Sequence, residues 1–457
     1  HFNGSFLVFS DDMSWCKEQP IFRHCDFAEV GTDVDQLNWF AMCGDRIIAN
    51  SSFSWWGAYL SPNKGLTIAP KKWHPDGICR TKLPAEWLQI RKSIHSGGWQ
   101  QGEEGAKMER EAARQLKVKY GILTNSGSSA GLLALSALEL PKGSEVIIPA
   151  VTFPTIFNII PQCGLVPVVV DSKLGTYNLD PDELEEAISK KTKAIIVVHA
   201  LGNPVDMNKV MKIARKHKLY VIEDFCDAWD SRLGGKPIGT FGDIGFTSFH
   251  AAHIVSMGVG GGVFTNNKVF ARNVRMYRDW GRQADIGNKT NGKKWPTLPQ
   301  DYDSRFIYEK VGYNFQILEL QAAMGRVQLT KAAKIKRLRK ANFDYLYKHL
   351  KEIPQLIMPV WDDKADVCWF AFPLSCTENR GALIEHLEKR GIETRSMFAG
   401  DITAHPAYAN TKYRKMKLTE AQFILTNSFW ISVHPRLTKK DREYIVRAFE
   451  DFYVATP

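Results

Sequence analysis

No apolar run in the 457 residues approaches the ~18 that a membrane helix needs, and no basic stretch leads into an apolar one at the start. Neither a membrane span nor a secretory leader is therefore expected. The eight cysteines, at positions 16, 25, 43, 79, 163, 226, 368 and 376, form no C-x-x-C pair, which argues against a zinc site or a thioredoxin-like motif. Cys25 and Cys43 would bridge only in an oxidising compartment; a mostly reduced, cytoplasmic chain fits the rest. Internal repeats and low-complexity tracts are missing. So is a clean basic stripe: the net charge is +11, but basic residues are scattered among acidic ones along helical stretches, which argues against nucleic acid. The densest basic run, Lys331, Lys334, Lys336, Arg337, Arg339 and Lys340, reads as the solvated face of an amphipathic helix, with an acidic small-molecule ligand as the other reading.

What is present is a globular composition, 44% hydrophobic and 24% charged, in a chain long enough for two or three domains. The charge is unevenly placed. Through Gly97 ten basic residues face ten acidic ones, so the remainder carries the whole +11, while seven of the 13 Trp fall by Trp99. Two parts of different origin are expected to meet near Ser93–Gly98. The chain begins at His1 rather than Met, which leads us to expect a fragment or a processing product.

The first part reads strand, loop, helix, strand. Phe6–Phe9 is a short apolar strand ending in Ser10-Asp11-Asp12, residues Asp35–Met42 have helical spacing, and Arg46–Ala49 reads as a buried strand. Asn50-Ser51-Ser52-Phe53-Ser54-Trp55-Trp56-Gly57-Ala58 then opens a helix, a place where free N–H groups suit an anion. From about Trp99 strands alternate with helices: Tyr120–Leu123, Glu145–Pro149, Val166–Val170, Ala194–His199 and Tyr220–Ile222 are apolar runs, with helical stretches around Ala130–Leu138, Pro181–Ser189 and Asn208–His217. That alternation predicts a parallel, doubly covered sheet. A long helix from Leu318 to about Leu350 leads into a smaller α+β section.

Several motifs in the second part carry chemistry, each with a bland reading beside it. Ser126-Gly127-Ser128-Ser129-Ala130 sits between a strand and a helix, where small residues let N–H and hydroxyl groups reach a phosphate; an ordinary Ser-rich cap is the alternative. Glu223-Asp224 ends a strand, where a carboxylate could pair with a protonated ring nitrogen or merely cap or ion-pair. The run Gly242–His253 is followed by Gly258-Val259-Gly260-Gly261-Gly262, glycines that permit close backbone approach to a flat ligand. His253 alone is an ordinary structural histidine as readily as a catalytic one.

Together, from Trp99 to the end, these motifs resemble the nucleotide-sugar aminotransferases and dehydratases of the aspartate-aminotransferase fold, enzymes that use pyridoxal or pyridoxamine phosphate. The resemblance implies an α/β fold of the type I PLP-dependent transferases, with a mostly parallel sheet and a small C-terminal α+β domain. It also implies phosphate contacts from Ser128, Ser129 and Ser248, with Asn314 of Gly312-Tyr313-Asn314 arriving from a partner subunit of a homodimer. Phe153 of Thr152-Phe153-Pro154 would stack on the ring, and Asp224 would keep its nitrogen protonated, making the ring an electron sink.

Five residues beyond Ser248, most of the family carries the lysine that binds the cofactor covalently, and here His253 stands there. The same exchange marks the 3-dehydratases of CDP- or GDP-linked 4-keto-6-deoxy sugars, in which the resemblance implies that His253 moves a proton at the cofactor while the C3 hydroxyl leaves. Asp227, where ordinary aminotransferases usually carry Gln, points to the same subgroup, and Leu201–Pro204, Arg278–Arg282 and Phe398–Gly400 look most like the CDP-sugar enzyme. That enzyme holds an iron–sulfur cluster on four cysteines, three of them just after its Arg-Asp-Trp-Gly-Arg stretch. Residues 283–293 contain no cysteine, so no cluster is expected, and the cluster-free GDP-sugar enzyme, regenerated by glutamate, is the closer precedent. Val259, where many relatives have Glu, is a further departure. Arg395 and His405 are candidate substrate contacts, with surface or core pairing as the other reading.

Residues 2–90 resemble the C-terminal end of α-1,2-fucosyltransferases, carried by Ser10-Asp11-Asp12 and the Asn50–Ala58 motif, and imply a partial α/β glycosyltransferase lobe. Their paired-arginine motif for the donor diphosphate is missing, and only about a third of such an enzyme is present. The expected organisation is a fucosyltransferase-like fragment at 1–97, a large cofactor-binding domain at 98–330 and a small domain at 331–457. The expected activity is pyridoxamine-phosphate-dependent 3-dehydration of a nucleotide-linked 4-keto-6-deoxyhexose, with GDP favoured because GDP-fucose and GDP-colitose share GDP-4-keto-6-deoxymannose as precursor. The alternatives are a sugar aminotransferase, a GDP-sugar glycosyltransferase with a non-catalytic second part, and a non-catalytic cofactor-binding partner of an enzyme dimer.

Overall fold

In the computed structural model the chain divides into two compact units, His1–Pro84 and Ala85–Pro457. The described residues are 102–283, 295–299 and 302–455, preceded by 6–8, 17–18, 25–27, 46–47 and 67–68. In the first unit β1 (Phe6–Val8) runs parallel to β2 (Cys25–Phe27), and β3 (Arg46–Ile47) parallel to β4 (Thr67–Ile68). The strands expected at Phe6–Phe9 and Arg46–Ala49 are thus present in shorter form. The Asp35–Met42 helix and the Asn50–Ala58 motif lie outside the described residues.

The second unit is built on an eight-stranded sheet. Its strands are β5 (Tyr120–Thr124), β6 (Glu145–Pro149), β7 (Val166–Val170), β8 (Thr192–Val198) and β9 (Tyr220–Asp224). After a two-residue hairpin, β10 (Arg232–Leu233) and β11 (Lys236–Pro237), come β12 (Ile244–Ser248) and β13 (Gly261–Thr265). Past β14 (Leu356–Ile357), β15 (Ala365–Asp366), β16 (Ala371–Cys376) and β17 (Thr394–Ser396), the strand β18 (Arg414–Lys415) returns to the edge, giving the order β18-β7-β6-β8-β9-β12-β13-β5. Every neighbouring pair is parallel except the two that β13 makes with β12 and β5.

The apolar runs of these strands become intelligible once both sheet faces are covered. Alternation sends Ile147, Val168, Val170, Ile195, Val197 and Val221 into one core cluster, and Val146, Ile148, Val169, Ile196 and Ile222 into the other. The covering helices include α1 (Glu103–Leu116), α2 (Gly127–Ser136), α3 (Pro154–Gln162), α4 (Met207–His217) and α5 (Lys268–Arg278). The segment expected as a helix over Pro181–Ser189 is a single 3-10 turn, Pro181–Glu183, continued by one α turn at Leu184–Ala187.

The long helix α6 (Glu319–Leu350) lies against α1, and Gly325 permits the approach: a Cβ there would fall 2.3 Å from Met108 Sδ. At its start Glu319 accepts the N–H groups of Gly102 (2.8 Å), Glu104 (2.8 Å) and Gly105 (3.0 Å), supplying the cap that α1 lacks from its own sequence. The smaller α+β section holds the antiparallel order β14-β16-β19-β17, with β19 at Ser428–Ser432, and the helices α7 (Arg380–Lys389), α8 (Thr419–Asn427) and α9 (Lys439–Ala455). Its core centres on Phe343 of α6, stacked on Trp369 with ring centres 3.9 Å apart. Among the described residues no helix is long and apolar enough to cross a membrane.

Candidate active site

The carboxyl ends of β9 and β12 and the start of α2 converge. Asp224 closes β9 opposite Phe246 of β12, and Ser248 closes β12 opposite Gly261 of β13. Two glycines make the convergence possible. A Cβ on Gly127 would fall 2.6 Å from Ser248 Cβ, and one on Gly261 would fall 2.3 Å from the Ser126 carbonyl oxygen. Any side chain at either position would fill the cradle.

Within it, the serines divide their work. Ser126 caps α2: its Oγ accepts the Ser129 N–H at 3.0 Å and lies 2.9 Å from Ser129 Oγ. Ser128 instead is exposed, its Oγ 2.7 Å from Thr155 Oγ1 on α3. These two hydroxyls stand beside the free N–H groups of a helix start, a combination suited to a phosphate. Ser248 Oγ accepts the His250 N–H at 3.2 Å. Phe153, the residue before α3, leaves 57% of its surface exposed, an aromatic face available to a flat ligand.

Adjacent strand residues face opposite ways, so Glu223 and Asp224 part company. Glu223 turns into the protein, where it accepts the N–H groups of Gly239 (2.9 Å) and Gly242 (2.6 Å) and meets His199 Nε2 at 3.2 Å. His199 Nδ1 accepts the Val205 N–H, which leaves Nε2 to carry the proton toward Glu223. Asp224 Oδ1 accepts the Cys226 N–H at 2.9 Å. Burial pushes the Asp224 carboxyl up to about 6; the Asp227 charge adds to this, while hydrogen bonds from Cys226 and the nearby His199 work against it. A buried carboxylate so placed is stabilised by any cation brought to it, a protonated ring nitrogen included.

His253 lies in the turn after β12, its N–H donating to the His250 carbonyl at 3.0 Å. Its Nδ1 approaches Asp227 Oδ1 to 3.2 Å without a hydrogen-bonding alignment. The imidazole packs on Phe370 at 5.5 Å between ring centres and faces His250 at 6.2 Å. Asp224, Asp227 and His253 are therefore brought together, next to the Ser128–Ser248 cradle.

The remaining candidates stand apart. Asn314 is exposed and pairs through its backbone with Asp279. Arg395 is exposed, bonding the Thr394 carbonyl at 2.8 Å and Glu393 at 3.2 Å. His405 Nε2 lies 2.8 Å from the Ala399 carbonyl. Among the described residues no contact ties these three directly to His253. Conversely, His199, Phe370 and Arg339 escaped notice as site residues. Arg339 corrects the expectation of a wholly solvated basic face: it is 6% exposed, because it lies on the same stripe as Ala332, Phe343, Leu346 and Leu350. That spacing was the available signal. Among the described residues no group of three or more His, Cys, Asp or Glu is placed to hold a metal.

Two family models match the chain: the DegT/DnrJ/EryC1/StrS aminotransferase family over residues 84–450, and glycosyl transferase family 11 over residues 1–91. Over 393 residues the chain is 39% identical to the lipopolysaccharide biosynthesis protein RfbH of Salmonella typhimurium, covering 81% of this chain and 90% of that one. Over 394 residues it is 39% identical to the dTDP-4-dehydro-2,6-dideoxy-D-glucose 3-dehydratase of Saccharopolyspora spinosa, covering 82% and 84%. Among solved structures, GDP-4-keto-6-deoxymannose-3-dehydratase with a trapped PLP-glutamate geminal diamine is similar at a TM-score of 0.73 and 26% identity, covering 80% of this chain and 98% of that one. The α/β fold with its mostly parallel sheet is the one the resemblance implied, and the family 11 match falls on the fucosyltransferase-like piece.

Proposed function

The chain belongs to the DegT/DnrJ/EryC1/StrS aminotransferase family, and from that membership we propose that it removes the C3 hydroxyl of a nucleotide-linked 4-keto-6-deoxyhexose. The observation that carries this reading is His253, an imidazole beside the Asp227 carboxylate at the position where aminotransferases of the family carry lysine.

The cradle fits pyridoxamine or pyridoxal phosphate, which when bound supplies an amine and an electron sink. The chain's own residues do the rest. We assign the phosphate to the N–H groups at the start of α2 with Ser128, Thr155 and Ser248; the Ser129 hydroxyl, expected on the phosphate, is instead turned to Ser126 Oγ and keeps the cap in shape. Phe153 covers one face of the ring, and Asp224 holds the proton on its nitrogen. Nδ1 of His253 lies toward Asp227, and Nε2 is the nitrogen we assign to take up and return a proton. We assign the cofactor to residues 98–330 and take 331–457 as the smaller domain, with Arg395 and His405 on the substrate side. No iron–sulfur cluster enters this scheme.

The working unit in this reading is a homodimer, in which Asn314 of one copy reaches the phosphate of the other. Exposed apolar residues flank it in sequence, Tyr308, Val311 and Leu318, with Val311 95% exposed. Glutamate is the amino donor that restores the amine form, and the reaction is placed in the cytoplasm, in deoxysugar supply for polysaccharide. GDP is the nucleotide we favour, because the fucosyltransferase-like first part points to GDP-sugars; the dTDP-sugar relative argues for another.

The test is incubation with pyridoxamine phosphate, glutamate and GDP-4-keto-6-deoxymannose, followed by mass spectrometry of the sugar. Loss of one oxygen with the ketone retained is the expected result. Replacement of the ketone oxygen by an amine would make the protein an aminotransferase working without its lysine. An unchanged sugar, with the dTDP- or CDP-linked analogue converted, would overturn the choice of nucleotide alone.

A further inference from the structure

A histidine that moves a proton is ordinarily aimed by a hydrogen bond at its other ring nitrogen. His253 has no such bond. Its Nδ1 is buried without a hydrogen-bond partner, 3.2 Å from Asp227 Oδ1 and out of alignment with it. The torsion that turns an imidazole is broad and roughly two-fold, so packing has to fix the ring where hydrogen bonding does not. Two aromatic rings stand beside it. His250, 6.2 Å away, is exposed and belongs to the same turn; Phe370, 5.5 Å away and tilted by 40°, comes from a distant part of the chain.

Phe370, the residue before β16, is itself held at both ends of its backbone and at its ring. Its N–H donates to the Leu201 carbonyl at 2.8 Å, its carbonyl accepts Arg339 Nη1, and its ring meets Trp430 of β19 edge-on at 5.8 Å. Two residues earlier the chain is tied down again: the Cys368 N–H donates to Ser231 Oγ at 2.8 Å, and that hydroxyl donates to the Gly202 carbonyl at 2.7 Å. The loop after β8 receives both ties. Within it Leu201 is wholly buried at a left-handed φ of 50°, a conformation that leucine keeps only where its surroundings fix the backbone. The ring that lies on His253 therefore sits on a rigid mount.

We propose that Phe370 is a positioning residue for His253: clamped to the loop after β8, its ring takes the place of the missing hydrogen bond and keeps the imidazole in one orientation. Its part in the reaction rests on the reading of His253 as the proton-moving group, whereas its hold on the imidazole does not.

The experiment compares Phe370→Ala with the wild-type full chain, first free of cofactor and carbon-13 labelled at histidine. NMR relaxation of the ring carbons reports side-chain order residue by residue, the His253 signal being the one absent in His253→Asn. In Phe370→Ala the order of His253 should fall by about a third, the step from a rigid to a flexible group. His199, held at both ring nitrogens by Val205 and Glu223, is the internal gauge and should stay rigid. An unchanged His253, or a His199 that loosens to the same degree, overturns the proposal. With pyridoxamine phosphate and the nucleotide sugar, kcat should fall at least tenfold while KM holds, since misplacing a reacting group by ~1 Å costs on the order of a hundredfold. An unchanged kcat, or a loss confined to KM, overturns it as well. Should Phe370→Ala not fold, Phe370→Leu, which keeps apolar bulk and removes the ring, is read in the same way. A loosened His253 in a protein whose wild type converts no sugar would sink the functional reading and leave the hold of Phe370 on the imidazole standing.

Discussion

Replacing Asp224 by Asn should stabilise the cofactor-free protein while impairing what the site is for. Burial raises the folded-state pKa of Asp224 from the ordinary 3.8 to about 6. Below pH 3.8 the carboxyl is protonated whether the chain is folded or not, and no cost arises. Between 3.8 and about 6 the unfolded chain has released the proton and the folded chain has not, so stability falls as pH rises. Above that window the full cost applies, on the order of 3 kcal/mol at about 1.4 kcal/mol per pH unit. Asparagine carries no charge and its Oδ1 can still accept the Cys226 N–H, so Asp224→Asn should recover most of that amount at pH 7.5 and almost none near pH 4. Urea unfolding of both proteins across this range gives the comparison directly. Pyridoxamine phosphate should reverse the order, stabilising the wild type more than the variant, because only the carboxylate meets a protonated ring nitrogen with opposite charge. A stability gap that is absent at pH 7.5, or that does not narrow with acid, refutes the reasoning.

Two further outcomes test the cradle. His253→Lys should retain pyridoxal phosphate through borohydride reduction and dialysis, read as intact mass, whereas the wild type should lose it; a variant that also loses it would mean position 253 does not face the cofactor. Gly127→Ala places a Cβ 2.6 Å from that of Ser248 and should cost about 1–3 kcal/mol in unfolding while weakening pyridoxamine phosphate at least tenfold, so wild-type binding would remove the phosphate from this place.

The sheet was legible because its strands are buried on both faces: Glu145–Pro149 and Val166–Val170 are continuous apolar runs, and the structure reproduces them to the residue. The long helix was equally plain from its length. At Pro181–Ser189 acidic residues mimicked a longer helix than the 3-10 turn and single α turn that form. Of the cluster, Asp224 was legible as the residue that closes β9, whereas Asp227 and His253 were singled out only by the resemblance. Glu223 was not separable from Asp224 until alternation along β9 sent it to His199. Arg339 was hidden for a different reason: a basic run looks solvated when read along the chain, and only the helical stripe through Phe343 and Leu346 shows one member turned inward. Asn314 rests on the resemblance, and Arg395 and His405 on their place in the sequence alone, since among the described residues no contact joins the three in one site.

The cap that Glu319 places on α1 spans 217 residues of sequence. At ~5–20 residues per second, a ribosome needs on the order of 10 to 40 s to travel from one partner to the other. Throughout that interval the apolar side of α1, with Met108, Ala112 and Leu116, awaits the helix that will cover it. The first described helix of the second unit is thus among the last to be secured during synthesis. Any variant that delays α6 leaves that surface open to chance encounters for longer, which lowers the yield of folded protein before it touches a single residue of the site.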